Sequence, residues 1–86
     1  MKLKPIHFTK HALLQCDERG TTKDEITNAI RTGKKETAKN GRFMFVSNFA
    51  YNSLWNGNFY AIKQVAPVVS VESKEIVVIT VYTFYF

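Results

Sequence analysis

Three polar residues near the N-terminus recur at the spacing of one helix face. His11, Gln15 and Arg19 lie at positions i, i+4 and i+8, so a helix across them would carry an imidazole, an amide and a guanidinium in one row. An imidazole in the first turn lies at the positive end of the helix dipole, which disfavours its protonation and keeps a neutral base available. His11 is therefore a candidate general base, and Arg19 is a candidate cation for phosphate.

The later part of the chain adds further groups of the kind that RNA chemistry needs. A metal-independent ribonuclease needs a base for the 2′-hydroxyl, cations for the crowded phosphate, and an acid or hydrogen-bond donor for the leaving oxygen. Thr80 and Tyr82 offer hydroxyl donors, and Arg42 and Lys63 offer cations. The sequence thus predicts catalytic residues His11, Thr80 and Tyr82 and RNA-binding residues Arg19, Arg42 and Lys63.

Each of these residues also has an ordinary structural interpretation. A histidine near a helix start is more often a surface or packed residue than a catalyst, and Thr80 suits a strand by propensity alone. Tyr82 fits a half-buried core ring, Lys63 a solvated strand lysine, and Arg19 a partner for the helix dipole. Whether Lys63 shares the sheet face of Thr80 depends on a strand register that the sequence does not determine.

Two helices would position the N-terminal groups. Thr9 is a candidate N-cap for the first helix, and Gly20 is placed to end it in a left-handed conformation. Thr22 and Glu25 match a capping box for the second helix, with Glu25 reaching back to the N-cap amide. Gly33 follows the last apolar position of the second helix and is expected to end it.

From Arg42 onward the apolar period changes from that of helices to that of strands. Asn56-Gly57 is a strong hairpin signal because this pair suits a type I′ turn. The predicted strands are 42–51, 59–65 and 76–86, with a polar turn at 72–75 and a further short strand near 36–39.

In the last strand, we expect the aliphatic set Val77, Ile79 and Val81 to pack on the helices, and Thr80 and Tyr82 to point to the opposite face. The predicted fold class is α+β: two N-terminal helices packed on one face of a C-terminal antiparallel β-sheet of three to four strands. A chain of 86 residues can hold only one such domain, which we place at 1–86.

Composition narrows the choice of partner. The formal charge of +5 points to a polyanion, with nucleic acid first and an acidic protein second, although a soluble surface rich in lysine explains it equally well. The single cysteine, Cys16, excludes an internal disulfide and a cysteine-based zinc site. His7 and His11 have no acidic partner at a familiar ligand spacing, so we expect no metal and no cofactor.

The sequence also predicts the cellular compartment of the protein. The first five residues carry no apolar run of the signal-peptide type, and the longest apolar stretch, 76–81, is too short to span a bilayer. We therefore expect a cytoplasmic protein without a membrane partner.

Two stretches together resemble a known family. The N-terminal stretch follows a His-Ala, Arg-Gly, Glu-Ile, Ala-Ile pattern, carried by Phe8 to Ala12, Glu18 to Thr22, Glu25-Ile26 and Ala29-Ile30. It resembles an uncharacterised bacterial domain family related to the RelE and BrnT toxins. The ending from Ile76 to Tyr82 is similar to the Val-Ile-Thr-Val-Tyr strand that closes these domains. Together the matches cover about half of the chain.

This resemblance implies a RelE/BrnT-like fold with helices on one sheet face and an RNA-binding groove on the other. It also implies the toxin of a toxin–antitoxin pair, an endoribonuclease held by a cognate antitoxin protein. By position, His11, Arg19, Thr80 and Tyr82 would carry the activity, whereas Lys63 is added by chemistry alone.

One departure from the family pattern bears on activity. Relatives often carry an arginine where this chain has Gln15, and loss of that cation would weaken phosphate stabilisation. The alternatives that stay open are a non-catalytic RNA- or protein-binding module of the same fold and a homodimer that pairs through the C-terminal strand.

Overall fold

The computed structural model describes residues 3–86. Met1 and Lys2 lie outside the described residues. They begin the predicted domain at 1–86 and the N-terminal segment that carries no signal-peptide pattern. The elements are β1 (Ile6–Phe8), α1 (Lys10–Arg19), α2 (Lys23–Thr32), β2 (Lys34–Thr37), β3 (Phe43–Trp55), β4 (Asn58–Val71) and β5 (Ile76–Tyr85). A short 3₁₀ turn spans Lys39–Gly41 between β2 and β3.

The helix boundaries agree with the caps expected from the sequence. The Thr9 hydroxyl accepts the Ala12 amide, Gly20 is left-handed with φ 73°, and the Thr22 hydroxyl accepts the Glu25 amide. The second half of the capping box differs, because the Glu25 carboxylate accepts the Thr21 hydroxyl instead of reaching back to the N-cap amide. This carboxylate also lies 2.8 Å from the ammonium of Lys63 on β4.

The strands form one five-stranded sheet in the order β1-β5-β4-β3-β2. The expected antiparallel sheet of three to four strands is wrong in number and in direction, because β1 pairs in parallel with β5 over Ile76–Val78. A three-residue strand is too short to show an apolar period. Over Ile76–Val78 the C-terminal strand therefore lies between β1 and β4. A homodimer that pairs through the C-terminal strand stays a prediction.

A bulge in β5 changes which of its side chains face the helices. The register passes from Val69↔Val78 to Val68↔Thr80, so Ile79 is an extra residue in β5. Val78 and Val81 are consequently both fully buried, three positions apart. The expected inward set was right for Val81 and wrong for Val77 and Ile79, because strict alternation does not hold across a bulge.

Both helices pack on the same face of the sheet. The buried cluster consists of Ala12, Cys16, Ile26, Ile30, Val65, Val69, Ile76, Val78 and Val81. No described helix covers the other side, which we call the open face; the pairing places on it Met44, Asn48, Gln64, Ala66, Val68, Thr80, Tyr82 and Phe84. Within residues 3–86, neither helix has the length and apolar character needed to cross a bilayer.

Candidate functional site

The open face contains a hollow of about 390 Å³ at the end where β2 and β3 are joined. Its floor consists of side chains from three neighbouring strands, namely Met44, Val68, Thr80 and Tyr82. Its wall consists of the last residue of β2 and the connection from β2 to β3. The residues of the wall that line the hollow are Thr37, Ala38, Lys39, Asn40 and Arg42. We call residues 37–42 the wall segment.

Left-handed residues give the wall segment its tight shape. Asn40 has φ 62° and Gly41 has φ 71°, two consecutive positive values of the kind that asparagine and glycine adopt at least cost. The amide of Ala38 donates to the carbonyl of Arg42 at 2.9 Å, which closes the turn. The Asn-Gly pair that predicts the hairpin at 56–57 is present here too, and it is the sequence signal that could have identified Lys39 and Asn40, which were missed as site residues.

Arg19 reaches the border of the hollow from the end of α1. Its carbonyl accepts the hydroxyls of Thr83 and Tyr85 at 3.0 and 2.8 Å, which fixes this helix end beside β5. Its guanidinium lies 5.4 Å from the centroid of the Tyr82 ring, a cation–π contact. The structure therefore brings Arg19, Arg42, Thr80 and Tyr82 to the open face or its border, as their predicted roles require.

Gln15 ties α1 to the floor of the hollow. Its side-chain oxygen accepts the amide of Val81 at 2.9 Å and also the hydroxyl of Thr80. Gln15 is 8% exposed, so these bonds form away from bulk water. Gln15, where the resemblance to RelE/BrnT-like toxins leads us to expect an arginine, thus binds a backbone amide of β5 and one of the predicted catalytic hydroxyls.

His11 is not part of this group. It is exposed in the first turn of α1, one turn before Gln15, and it is not among the residues that line the hollow. An exposed imidazole at the start of a helix needs no catalytic explanation. Its predicted role as a base has no support from the geometry of the hollow.

Lys63 lies on the helix side of the sheet, opposite Thr80. Lys63 lies two residues before Val65, a core residue, so both side chains are on the helix side of β4. Thr80 instead pairs with Val68, which lies on the open face. Its ammonium lies 2.8 Å from the Glu25 carboxylate and donates to the Gly20 carbonyl at 2.8 Å. The structure does not bring Lys63 to the hollow, and its charge is already paired.

Two groups near the helices have perturbed acidities. Burial, with a smaller contribution from the Asp17 charge, raises the pKa of the Cys16 thiol. Burial, then the neighbouring Tyr51 and Glu25, raises the pKa of Tyr85 to about 12. Neither side chain lines the hollow, so its chemistry consists of hydroxyl, amide, ammonium and guanidinium groups.

A comparison with family models shows which family this chain belongs to. Residues 8–83 match the model described as a domain of unknown function, DUF4258. The chain belongs to the DUF4258 family. No curated protein and no solved structure matches it. The matched span contains both helices, the wall segment and every residue on the floor of the hollow, so the hollow is part of the DUF4258 domain itself.

The arrangement in this DUF4258 domain suits an anionic ligand better than a metal ion. None of the side chains that line the hollow is acidic, and Lys39 and Arg42 both reach it. Among the described residues, no group of three or more histidine, cysteine or acidic side chains is placed to hold a metal. The hollow can therefore bind phosphate by its cations and exchange hydrogen bonds through its hydroxyls.

Proposed function

We propose that this DUF4258 domain binds RNA through the hollow on its open face. The observation that carries the proposal is the juxtaposition of Lys39 and Arg42 in the wall with the Tyr82 ring on the floor. Cations that follow a phosphate backbone and rings on which bases stack are the two parts of a single-strand binding surface. The net charge of +5 adds long-range attraction for the same ligand.

Exposed rings extend this surface beyond the hollow. Tyr82 and Phe84 are 41% and 48% exposed, and their centroids lie 6.5 Å apart with the planes inclined by 22°. Two exposed rings on one strand face offer successive stacking positions for unpaired bases. Arg19 stands over the first of these rings, where a phosphate beside a stacked base would meet its charge.

Binding is tested with a labelled single-stranded RNA of about 12 nucleotides, followed by fluorescence anisotropy between roughly 50 and 200 mM salt in the presence of EDTA. The logarithm of the binding constant falls as the logarithm of the salt concentration rises, and removing one phosphate contact should make this fall less steep by about 0.7. Arg42→Gln should show this loss together with weaker binding. The matched control is Lys23→Gln, which removes one charge from the exposed start of α2 on the other side of the sheet.

The control separates local contact from general attraction. Equal effects of Arg42→Gln and Lys23→Gln would place the binding outside the hollow. An affinity that is independent of salt, or no affinity for any RNA at low salt, would overturn the proposal.

RNA cleavage is a second candidate, favoured by two guanidinium-bearing residues near Tyr82. Arg19 contacts the Tyr82 ring, and Arg42 lines the same hollow. In this step the ribose 2′-oxygen bonds to phosphorus and its proton passes to water, while the bond from phosphorus to the 5′-oxygen breaks. The Tyr82 phenol donates its proton to the leaving 5′-oxygen, and the guanidinium groups stabilise the charge that develops on the phosphate. Electrophoresis of the RNA after incubation in EDTA is the test: cleavage that Tyr82→Phe abolishes supports it, and intact RNA leaves the non-catalytic binding module.

The toxin role extends this proposal to cells and rests on the resemblance to RelE/BrnT-like toxins. A toxin that binds RNA at the hollow would arrest growth when its gene is induced, and a cognate antitoxin would relieve the arrest. Arg42→Gln should relieve it as well, whereas Lys23→Gln should not. Growth that is unaffected by induction of the folded, wild-type chain would contradict the toxin role and leave RNA binding in place.

A further inference from the structure

The bonds around Gln15 identify which atom of its amide faces β5. The side-chain atom 2.9 Å from the Val81 amide nitrogen must accept a proton, because a backbone N–H can only donate. The oxygen and nitrogen of a glutamine amide are otherwise assigned from their surroundings, and here the backbone amide makes that assignment. The atom facing β5 is therefore the Gln15 carbonyl oxygen.

This assignment determines the direction of the bond to Thr80. The same Gln15 oxygen lies within hydrogen-bond distance of the Thr80 hydroxyl oxygen, and only the hydroxyl carries a proton to share. Thr80 must therefore donate its single proton to Gln15. Because Gln15 is 8% exposed, water has little access to the oxygen that accepts this proton.

Thr80 also lines the hollow, where it now has only acceptor capacity. A hydroxyl that has donated its proton retains its oxygen lone pairs. A phosphate oxygen is itself an acceptor and cannot bond to such a group, so the ligand atom opposite Thr80 must donate. In a ribose–phosphate backbone the 2′-hydroxyl is the donor, and DNA lacks it.

We infer that Thr80 is a specificity-determining acceptor for a ribose 2′-hydroxyl and that Gln15 is the positioning residue that holds it in this state. The inference rests on the proposed RNA binding. It replaces the role of Thr80 as a donor to the leaving oxygen, which the sequence suggested, because that proton is already used. The cations of the hollow bind phosphate, and Thr80 distinguishes the sugar.

The test compares oligonucleotides of one base sequence as RNA, as DNA and as 2′-fluoro RNA. Fluorine keeps the RNA-like sugar but cannot donate a proton, so it isolates the hydrogen bond from sugar shape. One hydrogen bond corresponds to a preference of roughly 3- to 10-fold, and the wild type should bind RNA more tightly than 2′-fluoro RNA by this factor. Electrophoresis after each titration verifies that the RNA is still intact.

Substitutions at Thr80 assign the preference to its oxygen. Thr80→Val keeps the branched shape that suits a strand and removes the oxygen, so RNA and 2′-fluoro RNA should bind equally. Thr80→Ser keeps the oxygen and should keep the preference. A preference that survives in Thr80→Val, or an equal loss of affinity for RNA and DNA, overturns the inference.

Substitutions at Gln15 test its positioning role. Gln15→Glu still accepts from Thr80 and from the Val81 amide, so the ratio of RNA to 2′-fluoro RNA affinity should be kept even if the added negative charge weakens all binding. Gln15→Met removes the acceptor and should reduce this ratio, which a purely structural role would not change. An unchanged ratio in folded Gln15→Met contradicts that role.

Failure of the inference is distinguishable from failure of the proposed function. Salt-dependent binding of RNA and 2′-fluoro RNA with equal affinity overturns the role of Thr80 and leaves RNA binding intact. No binding of any of the oligonucleotides overturns both.

Discussion

The paired charge of Lys63 makes a prediction that separates a structural role from an RNA contact. Its ammonium lies 2.8 Å from Glu25, and the two side chains are 8% and 24% exposed, respectively. The two substitutions that break this pair are Glu25→Gln, which keeps the shape of the acceptor, and Lys63→Met, which keeps most of the apolar stem. The partner left behind differs in its access to water, so the two variants should not be equally unstable.

The expected magnitudes follow from that asymmetry. Removing one partner of a fully buried pair costs about 3–5 kcal/mol, because the other charge remains buried and unpaired. Glu25→Gln leaves the more buried ammonium, with the Gly20 carbonyl as a remaining acceptor, and should cost about 2–3 kcal/mol. Lys63→Met leaves a carboxylate that water reaches, and should cost only about 1–2 kcal/mol.

Urea unfolding followed by circular dichroism measures both values. A loss of 2 kcal/mol should lower Tm by roughly 8–16 °C in a domain of this size. The double variant Glu25→Gln/Lys63→Met should lose less than the sum of the single variants, since the two residues are in contact. Equal stability in all variants, or a larger loss in Lys63→Met than in Glu25→Gln, would refute this reasoning about the buried pair.

The variant Lys63→Met also tests the RNA-binding role that the sequence predicts for Lys63. In folded Lys63→Met, affinity for single-stranded RNA and its salt slope should match those of a surface charge control such as Lys23→Gln. A larger local loss of affinity, with wild-type stability, would support the RNA contact instead.

Further predictions concern the helix junction and the core. Gly20→Ala should destabilise by about 2–4 kcal/mol, because strain at positive φ is joined by a clash with Trp55, 2.5 Å from the added carbon. Gly41→Ala, with φ 71° and open space around it, should cost only about 1–2 kcal/mol in the same unfolding assay. The raised pKa of Tyr85 means that the folded chain holds this proton to higher pH than the unfolded one, so the contribution of Tyr85 to stability should be constant below pH 10.0 and be lost as pH rises toward about 12, as urea midpoints across this range would show. Cys16 should react with a thiol reagent at the rate of global unfolding, because it is 7% exposed and burial raises its pKa; rapid reaction in the native state would contradict its burial.

Local signals explain why the helices were predicted well. Thr9, Gly20 and Thr22 act through hydrogen bonds and backbone angles within a few residues of themselves, so their sequence pattern is sufficient. The strand β1 and the bulge at Ile79 depend on pairing between distant segments. No local period contains that information, and the number of strands and the inward set of β5 were therefore missed in part.

The candidate site was also predictable from local side-chain chemistry but not from pairing between distant segments. Thr80, Tyr82 and Arg42 were found by side-chain chemistry, and the sheet brings all of them to one hollow. Lys63 has equally suitable chemistry, but strand register directs it to the helix side. The bond from Thr80 to Gln15 joins residues far apart in the chain, so the direction in which that hydroxyl donates could not be read before the fold was known.

We propose that RNA occupies the open face of the sheet. A titration of the ¹⁵N-labelled chain with single-stranded RNA, followed by amide chemical shifts, tests it most directly. We expect the largest changes at Met44, Val68, Thr80 and Tyr82 and in the wall segment, and little change at Ile26 and Ala29 in the helix layer. Changes concentrated on the helices, with the open face unaffected, would contradict the account.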